Sequence, residues 1–78
     1  MELNVLKQVI ARILLVDPNE ITPETTFLRD LGADSLDLYQ IIMGVEKEMN
    51  ITAPIEEIEK ITTVAEAVEL IKHATKQE

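Results

Sequence analysis

Aliphatic residues recur at helical spacing in three separate stretches of this 78-residue chain, and this periodicity constrains the fold more than any other feature. The pattern predicts helices over about Leu3–Val16, Ser35–Met49 and Val64–Thr75. Pro54 permits a further, short helix over about Ile55–Lys60. Apolar and polar residues nowhere alternate for long enough to predict a strand. We therefore expect an all-α fold, a four-helix bundle with three longer helices and one short helix, in one domain that spans the chain.

Capping residues place the ends of these helices. Asp34 is a favourable N-cap, which leaves Ser35 at the first helical position. Thr63 and Glu66 have the three-residue spacing of a capping box. Asp17-Pro18 ends the first helix, because the residue before a proline is pushed out of the helical region.

A long first loop joins the first two predicted helices. Thr22-Pro23 can begin a short helical turn within it, with the threonine as cap and the proline at the first helical position. Four apolar side chains are expected to hold the loop against the core: Ile21, Phe27, Leu28 and Leu31. Since long loops in small domains are usually either functional or disordered, these anchors favour an ordered, functional loop.

The second predicted helix has two apolar faces. Its core face consists of Leu38, Ile41, Ile42, Val45 and Met49. Leu36 and Met43 fall on the opposite side with Gln40, surrounded by acids, which is typical of a transient partner site with apolar anchors inside a charged rim. Isolated apolar residues are also ordinary on any surface. Gly44 weakens the helix by about 1 kcal/mol relative to alanine, so we expect another element to pack closely against it.

The net charge of −8 is concentrated in the middle of the sequence, where residues 30–59 hold eight acidic residues and one basic residue. This balance argues against binding to nucleic acid or to an anionic membrane, both of which require a basic surface, and it favours partners with basic surfaces. The longest unbroken apolar run, Ile13–Val16, is too short to span a membrane. The absence of cysteine excludes disulfides and thiolate zinc sites. Together with an N-terminal stretch unlike a signal peptide, it predicts a cytoplasmic protein.

Ser35 is the only serine in the chain and lies at the predicted start of a helix. Backbone N–H groups at a helix start are unpaired and the helix dipole favours negative charge there, so a phosphate attached to this hydroxyl would be stabilised. Position alone favours the simpler interpretation, an ordinary first-turn serine.

Enzyme and metal sites are not predicted. Gly32–Leu36 does not match the nucleophile elbow of hydrolases, and the only histidine, His73, falls opposite the apolar stripe of the last helix, so a catalytic pair with Ser35 is not expected. Asp30, Asp34 and Asp37 do not match a calcium loop. The acidic face is expected to be screened only weakly by divalent ions, and no dedicated metal site is expected.

The run Leu31–Asp37 resembles the attachment motif of acyl carrier proteins. Val16–Pro18, Ile21–Glu24 and Phe27-Leu28 resemble the first loop of that family. Glu57–Val64 resembles its third helix and the start of its fourth. The resemblance therefore covers most of the chain.

This resemblance implies a four-helix bundle that carries 4′-phosphopantetheine on Ser35. A pantetheinyl transferase would move the group from coenzyme A to the hydroxyl, and the terminal thiol would then hold acyl chains as thioesters. The acyl chain would fold back into a cavity lined by aliphatic residues of the second and last helices. The chain would be a monomeric carrier rather than an enzyme, serving fatty-acid biosynthesis. An unmodified acidic helical adaptor that binds a basic partner is the alternative from another class.

The resemblance also implies that the second helix is the main recognition element. Asp34, Asp37, Glu46 and Glu48 would meet basic patches on acyl-processing enzymes, with Leu36 and Met43 as apolar contacts and Gln40 between them. The chain departs from the usual fatty-acid carriers at Arg29, Tyr39, Gln40, Lys47 and Met49. These departures leave open a specialised carrier for polyketide, aminoacyl or lipid-modifying chemistry.

Overall fold

The computed structural model describes residues 2–76 and consists of packed helices joined by ordered loops. The helices are α1 (Glu2–Leu14), α2 (Ser35–Met49), α3 (Ile55–Ile58) and α4 (Val64–Lys72), with a 3-10 helix at Pro18–Glu20. Three longer helices and one short helix therefore form the bundle, which confirms the expected all-α fold and its long first loop. No helix within residues 2–76 combines the length and the apolar character needed to cross a membrane.

The core is almost entirely aliphatic and lies between α1, α2 and α4. Buried side chains come from one face of each helix: Leu6, Val9 and Ile10 of α1, Leu38, Ile41, Ile42 and Val45 of α2, and Val64, Ala67 and Ile71 of α4. These are the apolar stripes that helical spacing predicts. Met49, assigned to the same face of α2, is only partly buried at its end.

Gly44 lies where α2 meets α1. A methyl group added at this position would come within 2.8 Å of Cγ1 of Val9. The expected close packing against this glycine is therefore confirmed, and it explains a residue that otherwise weakens the helix.

Two short strands were not predicted. β1 (Ile51–Thr52) pairs antiparallel with β2 (Thr75–Lys76), with Ile51 opposite Lys76 and Thr52 opposite Thr75. The prediction that the last helix reaches Thr75 is wrong, because α4 ends at Lys72 and the chain then extends to make this pair. Strands of two residues show no alternation in the sequence, so only the tertiary approach of the two segments produces them.

The other helix ends also differ by a few residues from the predicted ones. α1 stops at Leu14 because Leu15 adopts a left-handed conformation, with φ of 58°, and the 3-10 helix follows with Asp17 as its cap. α3 ends at Ile58 rather than Lys60. A left-handed leucine carries no sequence signal, since glycine or asparagine is the usual residue at such a position.

The first loop is held against the start of α4 by backbone hydrogen bonds. The N–H of Phe27 donates to the carbonyl of Thr62 at 3.0 Å, and the N–H of Val64 donates to the carbonyl of Thr25 at 2.9 Å. The turn predicted at Thr22-Pro23 is present as a single turn, in which the N–H of Thr25 donates to the carbonyl of Thr22 at 3.0 Å, and it does not continue into a helix. No helix follows the turn because the next residues form their backbone hydrogen bonds with Thr62 and Val64, at the start of α4.

Three of the four apolar side chains expected to anchor this loop do so. Ile21 and Phe27 are buried, and Leu31 packs against the core. Leu28 is 73% exposed, so its assignment as an anchor is wrong. It lies in the turn that precedes Ser35.

Candidate functional site

Ser35 is the first residue of α2, and its position is set by a capping box. The carboxylate of Asp34 accepts a hydrogen bond from the N–H of Asp37 at 3.1 Å, and the carboxylate of Asp37 accepts one from the N–H of Asp34 at 3.4 Å. The predicted N-cap is confirmed. Each acid satisfies one backbone donor at the helix start, so the Ser35 side chain has no capping role and is exposed to solvent.

The turn before Ser35 is also closed by reciprocal hydrogen bonds. The N–H of Thr26 donates to the Asp30 carboxylate at 2.8 Å, and the N–H of Asp30 donates to the Thr26 hydroxyl at 3.1 Å. The Thr26 N–H, and then its hydroxyl, holds the pKa of Asp30 below its ordinary value. Gly32 reverses the chain with φ of 68°, and the N–H of Ala33 donates to the carbonyl of Phe27 at 2.8 Å. The serine is therefore presented from an ordered turn.

The start of α2 is compatible with a covalently attached phosphate. Capping by Asp34 uses the N–H of Asp37, whereas the N–H groups of Ser35 and Leu36 belong to the first turn, where no intrahelical carbonyl is available. The helix dipole adds partial positive charge at this end. Since Asp34 and Asp37 would repel a free anion, the site suits a phosphate held by a covalent bond better than one held by affinity.

A cavity of about 970 Å³ opens beside Ser35. Its lining comes from the first loop, the first turns of α2, the end of α3 and the segment that follows α3: Thr26, Phe27, Leu28, Arg29, Asp34, Ser35, Leu38, Tyr39, Ile58, Glu59, Ile61 and Thr62. Contrary to the expectation from the resemblance, no residue of α4 lines it. The apolar stripe of α4 is already buried in the core, so the cavity forms between α2 and α3.

Tyr39 and Glu59 connect α2 to the end of α3 in the wall of this cavity. The Tyr39 hydroxyl donates to Oε1 of Glu59 at 3.1 Å. Burial of the phenol, and then its hydrogen bond to Glu59, raises the pKa of Tyr39. The sequence predicts Tyr39 on the flank of the helix but gives no sign of this pair, since no local spacing relates two residues 20 positions apart.

The outer face of α2 contains the predicted apolar contacts. Leu36 is 65% exposed and Met43 is 61% exposed, and Gln40 is exposed with them. Ile55, the first residue of α3, is a further large apolar side chain on the surface, at 62% exposure. Its exposure was not predicted, because the sequence offers no sign that the short helix turns its first residue outwards.

Glu46 and Glu48, the other two acids expected to meet partner enzymes, also have partners within the chain. Oε2 of Glu46 accepts a hydrogen bond from the N–H of Ala53 at 2.7 Å, which ties the end of α2 to the segment before α3. Oε1 of Glu48 lies 3.5 Å from Nη1 of Arg12, and both side chains are about half exposed. The structure therefore gives Glu46 an internal contact, while Glu48 keeps its charge at the surface.

His73 does not meet Ser35. It is exposed, its Nε2 lies 3.8 Å from Oε1 of Glu69, and it lines a second cavity that does not include the serine. Over the residues that the structure describes, no three acidic or histidine side chains are grouped as a metal ion would require.

Comparison with known proteins relates the whole of this site to one family. The family model of the phosphopantetheine attachment site matches residues 4–71, a range that includes Ser35 and every residue lining the cavity beside it. An acyl carrier protein of Clostridium perfringens is 46% identical over 72 residues, which cover 92% of this chain and 95% of that protein. An acyl carrier protein of Wolinella succinogenes is 45% identical over 67 residues, covering 86% of this chain and 88% of that protein.

A solved structure agrees with these sequence matches. It is described as a candidate acyl carrier protein from Mycobacterium tuberculosis, and it is 30% identical to this chain. The two superpose with a TM-score of 0.84 over 92% of this chain and 96% of the other.

Proposed function

The chain belongs to the acyl carrier protein family, and from that premise we propose that it carries intermediates of fatty-acid biosynthesis as thioesters on an arm attached to Ser35. Its family makes it a carrier rather than an enzyme, with 4′-phosphopantetheine as cofactor. When bound, this group supplies a flexible arm and a terminal thiol for the thioester. The protein supplies the attachment point, a place for the cargo and a surface for partner enzymes.

One observation carries the assignment of Ser35. The only serine of the chain lies exposed at the first position of α2, beside the cavity of about 970 Å³. Its hydroxyl makes no hydrogen bond to any of the residues that the structure describes. An oxygen in this position is accessible to a transferase, and the phosphodiester formed on it faces the N-terminal turn of α2.

Partner enzymes recognise the carrier through the outer face of α2. Leu36 and Met43 are the apolar contacts, Gln40 lies between them, and Asp34, Asp37 and Glu48 supply charge around them. Glu46 completes the predicted set, and its contact with Ala53 also helps to hold this end of α2 in place. Surface charge of this kind speeds and orients encounters with basic patches without requiring tight binding.

Intact-mass measurement tests the attachment. The purified protein is incubated with coenzyme A and a pantetheinyl transferase, and we expect a gain of one phosphopantetheine. Ser35→Ala should gain nothing, whereas Thr22→Ala, which removes another exposed hydroxyl, should gain the full group. No gain in the wild type, or a gain that persists in Ser35→Ala, would contradict the proposal and favour an unmodified acidic adaptor.

A second candidate is a carrier dedicated to another acyl pathway. The observation that favours it is the Tyr39–Glu59 hydrogen bond in the wall of the cavity, which places a phenol and a carboxylate where cargo would lie. Mass analysis of the acyl group carried by the protein recovered from its source separates the two candidates, since a fatty-acid carrier should hold saturated chains among its cargo.

A further inference from the structure

The cavity beside Ser35 has a wall of mixed character. Phe27, Leu38, Ile58 and Ile61 form an apolar surface within it. Tyr39 and Glu59 place two oxygen-bearing side chains in the same lining. An acyl chain that enters from an arm on Ser35 therefore meets both aliphatic side chains and a hydrogen-bonded polar pair.

The polar pair has acceptor capacity left over and no donor capacity. Because the Tyr39 hydroxyl donates its only proton to Oε1 of Glu59, the phenol oxygen can only accept further hydrogen bonds. The second carboxylate oxygen of Glu59 can also only accept, and no ion pair engages Glu59 among residues 2–76. A cargo group that complements this wall must therefore be a donor.

From this geometry we propose that Tyr39 and Glu59 are specificity-determining residues, which make the cavity prefer acyl chains that carry a hydrogen-bond donor, a hydroxyl or an amino group, over saturated chains of the same length. A donor on the cargo gains a hydrogen bond to an ionised or polarised acceptor. A saturated chain in the same place displaces water from the Tyr39 phenol oxygen and the Glu59 carboxylate without forming a hydrogen bond to either, which costs free energy. This inference rests on the proposed attachment at Ser35.

The position of the pair makes it a selective element and not simply a surface contact. Glu59 follows directly after α3, which has only four residues, and Tyr39 belongs to the first turns of α2, one helical turn from Ser35. The hydrogen bond between them therefore crosses from one wall of the cavity to the other. Cargo that enters the space between α2 and α3 therefore contacts the intact pair.

The test compares three cargoes loaded on Ser35 from the corresponding coenzyme A thioesters: octanoyl, 3-hydroxyoctanoyl and 3-aminooctanoyl. Loading is first verified by intact mass. The rate of thioester cleavage by hydroxylamine is then measured for each and divided by the rate for the same acyl group on free pantetheine. This ratio reports how far the protein shields the thioester when the chain lies in the cavity.

We expect the wild-type protein to protect the hydroxyl-bearing or amino-bearing chain about threefold to tenfold better than the octanoyl chain. Glu59→Leu, which removes the exposed acceptor, should bring the ratio of protection between donor-bearing and octanoyl chains to about one, and Tyr39→Phe should lower this ratio. Glu57→Leu is the matched control: it removes a carboxylate only two residues before Glu59, but Glu57 faces the second cavity and pairs with Lys60 at 3.4 Å. This control should keep the wild-type preference.

The chain contains one tyrosine and no tryptophan, so its tyrosine absorbance reports Tyr39 alone. Glu59→Leu should lower the pKa of Tyr39 towards its ordinary value. An unchanged titration would show that the pair is absent in solution and would overturn the inference.

Two further results would also overturn it: equal protection of all three chains by the wild type, or a preference that survives Glu59→Leu. Failure to load any cargo would instead overturn the proposed attachment at Ser35, and the mass measurement identifies that outcome separately.

Discussion

Gly44 provides the sharpest test of how α1 and α2 pack. A methyl group at this position would lie 2.8 Å from Cγ1 of Val9, whereas carbon atoms in good contact are about 3.5–4.0 Å apart. Val9 is 1% exposed, and a β-branched side chain in a helix has essentially one favourable rotamer. The valine cannot swing away, so Gly44→Ala must push the two helices apart.

Two opposing effects decide the net change in the free energy of unfolding. Alanine favours the helix over glycine by about 1 kcal/mol. Overpacking a close-packed core costs about 1–3 kcal/mol. We therefore expect Gly44→Ala to lower the free energy of unfolding by about 1 kcal/mol, against the direction that helix propensity alone predicts.

Removing the obstructing side chain should reverse the sign. Val9→Ala by itself should cost about 2 kcal/mol, because it deletes two buried methyl groups and leaves a cavity. In that background the new methyl at position 44 enters vacated space and keeps its helix propensity. Gly44→Ala should then stabilise the Val9→Ala protein by about 1 kcal/mol, a coupling of about 2 kcal/mol between the two sites.

Urea unfolding of the four proteins, followed by circular dichroism, measures this cycle. Gly32→Ala is the matched control. A methyl there meets nothing within 4 Å, but the backbone has φ of 68°, so the substitution should cost about 1–2 kcal/mol from backbone strain alone. That cost should be the same with and without Val9. If Gly44→Ala has the same effect in both backgrounds, contact with Val9 does not explain the glycine and the packing argument is wrong.

The remaining predictions concern pH and partner docking. Hydrogen bonds from the Thr62 hydroxyl, and then from the backbone N–H groups of Thr62 and Thr63, lower the pKa of Glu66 from its ordinary value of 4.5. The ionised carboxylate therefore stabilises the folded chain fully above pH 4.5, and this stabilisation is lost as the pH falls through the lower folded-state value. Glu66→Gln should lower the urea midpoint at neutral pH, and its difference from the wild type should shrink in acid; a difference that is constant with pH would contradict this. Glu48→Lys should slow association with the pantetheinyl transferase, most strongly at low salt, as measured by stopped-flow binding; equal rates at all salt concentrations would count against an acidic docking face. Met43→Ala should weaken the same binding with little change in its salt dependence, because it removes an exposed apolar contact and no charge.

The structure changes which acids are suitable for testing the docking face. Asp37 closes the capping box of α2, and Glu46 binds the N–H of Ala53, so reversing either charge would also disturb the fold. Glu48 has only an exposed pair with Arg12, and such pairs contribute little to stability. An effect of Glu48→Lys on association can therefore be assigned to the surface.

Short-range patterns in the sequence were sufficient to predict the longer helices and the caps at their starts. The apolar stripes of α1, α2 and α4, the cap at Asp34 and the capping box at Thr63 and Glu66 all depend on residues within one or two turns of each other. Ser35 was found in the same way, as the only serine and the first residue after a cap. Its chemical role came from the family resemblance, because position alone favoured an ordinary first-turn residue.

Local patterns of residues were enough to predict an all-α bundle, the exposed serine at the start of its second helix, and the exposed apolar pair Leu36 and Met43. Packing of the whole chain was needed to produce the β1–β2 pair, the attachment of the first loop to the start of α4, and the internal contact of Glu46. The same packing places the cavity between α2 and α3 and brings Tyr39 to Glu59. The physical reason is common to these features: each joins residues that no helical or strand repeat relates, from seven positions apart for Glu46 and Ala53 to 20 or more for the other pairs, so their spacing along the sequence does not predict the contact.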